Sequence, residues 1–452
     1  MSTIEKHDMT QGKILLPLVS FTIPLVLGNL FQLTYNAADS VIVGKYVGEQ
    51  ALAAVGTSTP IMNIAILLIS GMCMGASVLM SSQYGARDYD TLSKQISTTM
   101  LAGCGFSMVF SLLMLLLATP VLRLIRVPET AIPEAAVYLR IIFLGLIFTF
   151  IYNFLANTMR ALGDSKTPLY FLLFSAALNI VLDLVLIIVF HLGAAGAAYA
   201  TVIAQGVSAL LCLIYIIKKV PILKLDRWDF KLDGHLVRQQ LAIGFPMALQ
   251  YSITAIGAMM VQAALNVLGS VHVAAFTAAN KIEQVVTQVY VALGTTMATY
   301  CAQNMGAGKV KRISRGFRAT TIMGSMYSVV FGVLVFFFGN MLTGLFVSEN
   351  LDQIVGLVDI YMKCVALFFV PLNVVNVYRN GIQGMGYGFL PMTAGIAELA
   401  GRGLTAVVAS HYKSYLGICL ASPVAWIFAS ALLLVMYFGI MNKYKKAGNF
   451  RE

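Results

Sequence analysis

Hydrophobic residues along this chain gather into twelve long apolar blocks separated by short polar stretches. The blocks run roughly over 14–45, 52–82, 95–119, 131–159, 167–190, 194–217, 236–266, 272–303, 313–345, 353–383, 388–412 and 417–441. A helix needs about 20 apolar residues to cross the hydrocarbon core of a bilayer, and every block reaches that length. A membrane β-barrel would show segments of about ten residues in strict alternation instead. The pattern predicts an all-α polytopic membrane protein with twelve transmembrane helices. Residues 1–13 are polar, and the apolar run after them is too long for a signal peptide, so it reads as the first span.

The longest polar stretch, Lys218 to His235, divides the spans six and six. The expected organisation is a six-helix bundle over 1–217, a linker over 218–235 and a second six-helix bundle over 236–452. The halves echo each other. Pro24 in span 1 matches Pro246 in span 7, and Gly163 with Pro168 matches Gly386 with Pro391. Gly48 to Gly85 and Gly269 to Gly306 are both intervals of 37 residues. An even number of spans per repeat gives parallel repeats, related by a pseudo-twofold axis along the membrane normal. That suits a transporter whose site opens alternately to either side.

Composition sharpens the picture. Only 11% of residues are charged and mean hydropathy is +0.83, against roughly 25% charged in soluble domains. The net charge of +11 would suit nucleic acid in a soluble protein. Here its distribution explains it. With both termini placed in the cytoplasm, 21 Lys and Arg fall in cytoplasmic segments and five (Lys45, Arg123, Arg126, Arg140, Lys413) in the opposite loops. That is the positive-inside asymmetry, and no nucleic-acid partner is expected. The six cysteines all lie inside apolar blocks, spaced for neither zinc nor disulfides. No P-loop, HExxH or GxSxG motif occurs, so neither direct ATP use nor hydrolase chemistry is expected.

Few acids lie at membrane depth: Asp39, Asp183, Glu283 and Glu398. An ionisable residue there is costly and is a functional candidate by default. Asp39 has no positive neighbour within five residues. Asn179 and Asp183, four apart, share one face of span 5, as Thr201 and Gln205 do on span 6. Glu398 and Arg402, also four apart, read as a neutralised structural pair, and Lys281 and Glu283, two apart, do not face each other. Pro24 favours a kink in span 1. Asp39 follows it by 15 residues, about 22 Å of helix.

Taken together, Pro24, Asp39 with Val43-Gly44, Gly48 followed by Ala51–Gly56, Gln83-Tyr84-Gly85-Ala86, Arg160–Asp164 with Pro168, Asn179 with Asp183, and Gly193–Ala198 with Thr201 resemble the MATE (multidrug and toxic compound extrusion) family, in its DinF-like branch. The resemblance spans essentially the whole chain and implies the MATE/MOP-type fold. It also implies that Asp39, Asp183, Asn179 and Thr201 converge in the N-terminal bundle as an ion-coupling site. Burial and a second nearby carboxylate disfavour the charged form of such acids, which suits them to loading and releasing a proton. The plainer reading is a static polar knot holding spans 1, 5 and 6 together. The repeat offset carries Asp39 to Met260 or Val261 and Asp183 to the vicinity of Ala406, so this acidic site exists in the first half only. Asn36, Pro24, Asn153, Asn157, Gln205, Lys281 and Glu283 are further candidates for substrate contact or gating.

The expected function is secondary active multidrug efflux. A cation, first a proton and alternatively sodium, is exchanged for amphiphilic, cationic organic compounds by alternating access. A lipid or lipid-linked precursor flippase of the same superfamily is the rival transporter. An enzyme is not expected, nor any cofactor or metal beyond the coupling ion. Small amphiphiles and membrane lipids are the expected partners. A monomer in the plasma (cytoplasmic or inner) membrane is expected, with both termini cytoplasmic.

Overall fold

The computed structural model describes residues 8–125, 127–220, 231–343 and 351–448. The middle of the expected linker (221–230), and Lys6, Arg126 and Arg451 of the charge count, lie outside them. Helices are the regular structure of the described residues, joined by short turns and loops. In chain order the helices are α1 Leu15–Tyr46, α2 Glu49–Gly85, α3 Tyr89–Leu124, α4 Ile132–Leu144, α5 Leu146–Ala161, α6 Lys166–Leu184 and α7 Gly193–Lys219. There follow α8 Gly234–Asn266, α9 Ser270–Gly306, α10 Val310–Thr343, α11 Leu351–Ala366, α12 Phe369–Gly384, α13 Phe389–His411, α14 Tyr415–Cys419 and α15 Ala421–Lys446.

Eight of these helices are each long and apolar enough to cross a membrane, and the bent pairs α4–α5 and α11–α12 add two more. α9 and α13, at 37 and 23 residues, have the length with a more polar composition. Counting each bent pair once, and α14 with α15 as one span, the chain has the twelve-helix architecture of two six-helix bundles. Each lipid-facing surface is apolar, the reverse of a soluble helix. On α3, Val109, Leu112, Leu113 and Leu116 form such a stripe, with Leu116 78% exposed. Val329, Val330, Val333 and Phe337 do the same on α10.

Spans 4 and 10 were expected as single helices. The structure bends them by 46° and 51°. The first bend falls at Gly145. The second follows from Pro371, which cannot donate to the Leu367 carbonyl, so the ladder breaks just before α12. The Phe368 N–H closes the gap by bonding to Val365 instead (2.9 Å).

The chain divides into two compact units, and the division differs from the expected boundaries. The first unit contains Ile23–Phe245, and the second contains Met9–Thr22 and Pro246–Glu452. Two helices therefore change units along their length, each next to its repeat-matched proline: α1 before Pro24 and α8 before Pro246. Hydropathy assigns whole spans to one half, so it could not see this exchange. The early turns of α1 are held in the second unit, where Thr22 Oγ1 lies 2.8 Å from Thr296 Oγ1. The early turns of α8 are held in the first unit by Gln240. Its carbonyl accepts from Thr99 Oγ1 (3.0 Å) and from Gln95 Nε2 (3.3 Å), and its amide donates to the Met72 carbonyl (3.3 Å).

Close backbone approach makes this seat possible. A Cβ on Gly75 would stand 2.6 Å from the backbone of Gly244, and one on Gly244 would stand 2.6 Å from the Gly71 carbonyl oxygen. Small residues let helices meet at this distance, where dispersion rather than hydrophobic burial drives association in lipid. The repeat is also visible in the turns. α2 and α9 are both 37 residues long. Each is preceded by a glycine in a left-handed conformation, Gly48 (φ 108°) and Gly269 (φ 96°), that a side chain would strain.

Candidate functional site

In the first unit, α1, α2, α4, α7 and the turn that follows α6 meet around an apolar cluster of Ile42, Val43, Val55, Tyr138, Ile141, Ile142, Ile187 and Ala194 with Ala197–Ala198. Asp39, one turn before Val43, and Asp183 on α6 interact directly, carboxyl against carboxyl. Asp183 is fully buried and Asn179, one turn earlier, is 5% exposed. Among the described residues, Asp39 Oδ1 and both carboxylate oxygens of Asp183 accept no hydrogen bond, and Asn179 Nδ2 donates none. An unsatisfied buried carboxylate carries a large desolvation cost. Two adjacent carboxylates in an apolar setting hold their charge only with a cation between them, or give it up to a shared proton. Each carboxyl lies within hydrogen-bonding reach of the other.

Tyr138 was not singled out from the sequence. It is 4% exposed and interacts electrostatically with both acids, while Tyr35 on α1 interacts with Asp39. Nothing in the pattern distinguishes either from the other tyrosines of the chain. The π-helical turn at Val185–Val189 was also unforeseen. It begins two residues after Asp183, where the Phe190 N–H bonds to the Val185 carbonyl (3.1 Å). Such turns often adjoin functional sites. The run Val185–Val189 carries no glycine, proline or polar residue to mark it.

The other candidates separate. Thr201 donates to the Ala197 carbonyl in its own helix (3.0 Å). Its neighbour Val202 packs on the apolar cluster beside the acids. Gln205, one turn on, keeps a buried Oε1 without a donor. Asn36 is exposed on α1, and Pro24 opens the part of α1 that belongs to this unit. Asn153 and Asn157 spend amide N–H groups on the carbonyls of Thr149 and Asn153, both at 2.8 Å, so these bonds hold them to their own helix.

The second unit holds a different charge cluster. Glu398 on α13 accepts from Arg402 Nη2 (2.8 Å) and also from Arg379 Nη2 on α12 (2.5 Å). The expected Glu398–Arg402 pair is thus a triad, with all three side chains in the protein interior. Sequence spacing finds partners four apart on one helix and is blind to a partner 19 residues away on another. Glu283 on α9 accepts a hydrogen bond from Tyr361 on α11 and interacts with Arg402, whereas Lys281 is exposed. Two cations and two acids make this cluster electrically balanced. The first unit's pair is acidic.

A sequence model of the MatE family matches residues 24–185 and 242–408. Over 383 residues the chain is 35% identical to the probable multidrug resistance protein YpnP of Bacillus subtilis (strain 168), covering 84% of each. Over 388 residues it is 23% identical to the multidrug export protein MepA of Staphylococcus aureus (strain N315), covering 86% of this chain and 82% of that one. The fold matches an outward-facing multidrug resistance MATE family transporter of the MOP superfamily at TM-score 0.92. That match has 21% identity over 99% of this chain and 100% of the other, and carries the fold alone.

Proposed function

This chain belongs to the MatE family of multidrug and toxic compound extrusion transporters; it is a multi-pass membrane transporter and not an enzyme, and we infer that it exports amphiphilic, cationic organic compounds in exchange for protons. Multidrug efflux is the function its relatives are named for. The proton reading rests on one observation: Asp39 and Asp183 face each other with three buried oxygens lacking a hydrogen-bond donor. One proton bound there quenches the repulsion between the acids and supplies the missing donor. Asn179, one turn before Asp183, and in this reading Thr201 serve the pair as groups able to bond either protonation state.

In the proposed cycle, protons enter from outside, neutralise the pair, and reset the protein once substrate has left. Each inward charge supplies about 2.3 kcal/mol per 100 mV of membrane potential. That corresponds to a roughly 50-fold concentration ratio. Both termini face the cytoplasm in this reading, from the excess of Lys and Arg on that side. The same orphan oxygens could instead ligate sodium, the second reading.

The test is dye export by purified protein in liposomes, wild type against Asp39→Asn, with proton and sodium gradients imposed separately. The proposal expects wild type to respond to the proton gradient alone and Asp39→Asn to bind substrate without concentrating it. A response to sodium alone replaces the proton with sodium. Normal gradient-driven export by a folded Asp39→Asn protein removes the pair from the mechanism.

A further inference from the structure

Of the charged side chains at membrane depth in the second unit, one is left unmatched. Glu398 accepts from Arg379 and Arg402, Glu283 accepts from Tyr361 and interacts with Arg402, and Lys363 pairs with Asp359 (2.6 Å). Lys281 has neither an ion pair nor a hydrogen bond among the described residues. It lies about 16 Å of helix beyond Ser270, where α9 begins. Glu283, two residues on, is turned away from it toward Tyr361 of α11.

The face that carries Lys281 is unlike the lipid-facing rows of this protein. α9 packs on α10, α11 and α12 and buries Ala275, Ala279, Ile282, Val286 and Tyr290. Its opposite face presents Thr277, Lys281 and Gln284, all exposed, with Gln288 next in the row. Their spacing of three and four residues sets them on one side of the helix. The exposed rows on α3 and α10 are apolar instead. A lysine turned to hydrocarbon inside a span is costly, and such residues face a water-filled passage instead. The neutral members of the row bond within α9. Thr277 Oγ1 donates to the Val273 carbonyl (2.7 Å), Gln284 Nε2 to Asn280 Oδ1 (3.0 Å) and Gln288 Nε2 to the Gln284 carbonyl (3.1 Å). Lys281 alone in the row keeps all its donors, three N–H groups on a cation, for what enters the passage.

A lone ammonium there repels a purely cationic compound and attracts an acid. We propose that Lys281 is a specificity-determining residue: it binds a carboxylate on the amphiphile in transit, so that this transporter favours compounds carrying an acid beside their cationic centre. This rests on the export reading above and adds a second charge to the substrate. The aliphatic stem of Lys281, with Val285 and Val291 exposed further along α9, offers apolar contact to the rest of the molecule.

The probes are a zwitterionic rhodamine with a free carboxylate and its cationic methyl ester, which differ only in the group assigned to Lys281. Ion-gradient-driven export of each is measured with purified protein in liposomes. Wild type should export both. Lys281→Gln should raise KM for the free acid about tenfold, the loss of one charge-assisted hydrogen bond, and leave KM for the ester unchanged or lower. Lys281→Arg should keep the wild-type ratio of the two KM values. An unchanged ratio in Lys281→Gln overturns the proposal, as does export of the ester alone by wild type. Wild type that moves neither dye under either a proton or a sodium gradient overturns the export reading and this proposal with it. Because Lys281 is exposed, its substitution leaves the packing of α9 intact, and Lys281→Ala serves as a second neutral variant with the same expected ratio.

Discussion

Glu398→Gln offers a sharp test of the charge balance in the second unit. Glu398 is 5% exposed, and Arg379 and Arg402, its partners at 2.5 and 2.8 Å, are 9% and 7% exposed. At an effective dielectric near 20, unit charges about 4 Å apart interact by about 4 kcal/mol. The substitution removes two such attractions and leaves two arginines with only Glu283, beside Arg402, to offset their repulsion, so the expected cost is about 3–5 kcal/mol. The double variant Arg379→Met/Glu398→Leu removes one charge of each sign and keeps the volume. It leaves Arg402 with the Thr254 carbonyl (3.4 Å) and the neighbouring Glu283. Its expected cost is about 1 kcal/mol or less. Unfolding in mixed micelles with increasing dodecyl sulfate, followed by circular dichroism, gives the difference. A single variant costing under about 1 kcal/mol, or a double variant costing as much as the single, refutes the reasoning.

Gly75→Ala places a methyl group 2.6 Å from the Gly244 backbone. It should cost about 1–3 kcal/mol by forcing α2 and α8 apart, visible as a lower midpoint in the same unfolding assay. Gln240→Leu removes the three bonds that tie α8 to Gln95, Thr99 and the Met72 carbonyl, leaving Gln95 Nε2 with Thr99 Oγ1 and Thr99 Oγ1 with the Gln95 carbonyl. A loss of about 1–3 kcal/mol is expected, with hydrogen exchange rising first in residues 234–245. Asp88 caps α3 by accepting from Thr91 N–H (3.1 Å). The Thr91 hydroxyl and N–H hold its carboxyl below the usual range. A depressed folded value stabilises above the unfolded value and is lost as pH falls through the folded one. Protection of the first turn of α3 should therefore fade in acid, and Asp88→Ala, costing about 1 kcal/mol, should abolish that pH dependence.

Much of this architecture was legible because bilayer thickness fixes helix length. The twelve blocks, the repeat and the acids at depth all follow from where polar groups are tolerated. Legibility ended where geometry depends on residues distant in sequence. Arg379 could not be assigned to Glu398 because no period connects α12 to α13. Pro371 lay inside an apolar block whose hydropathy hides a bend. Tyr138 and the π-helical turn after Asp183 have no local signature. Asn153 and Asn157 each spend one amide N–H on a carbonyl of their own helix, a bond that residue spacing permits but does not announce. The acids themselves were readable for an energetic reason: a lone carboxylate in lipid needs a justification that a buried tyrosine does not.

The reciprocal loan of helix turns between the units bears on biosynthesis. Residues 9–22 leave the ribosome first, but Thr296, Gln303, Asn304 and Arg312, which hold them, are made almost three hundred residues later. The first unit likewise waits for residues 234–245, which lie beyond the linker. A gene split within 221–230 would yield one fragment that lacks the closing turns of its own bundle and another that lacks its opening ones. Neither fragment should fold alone. Expressed together they should complement, because each carries the piece the other is missing.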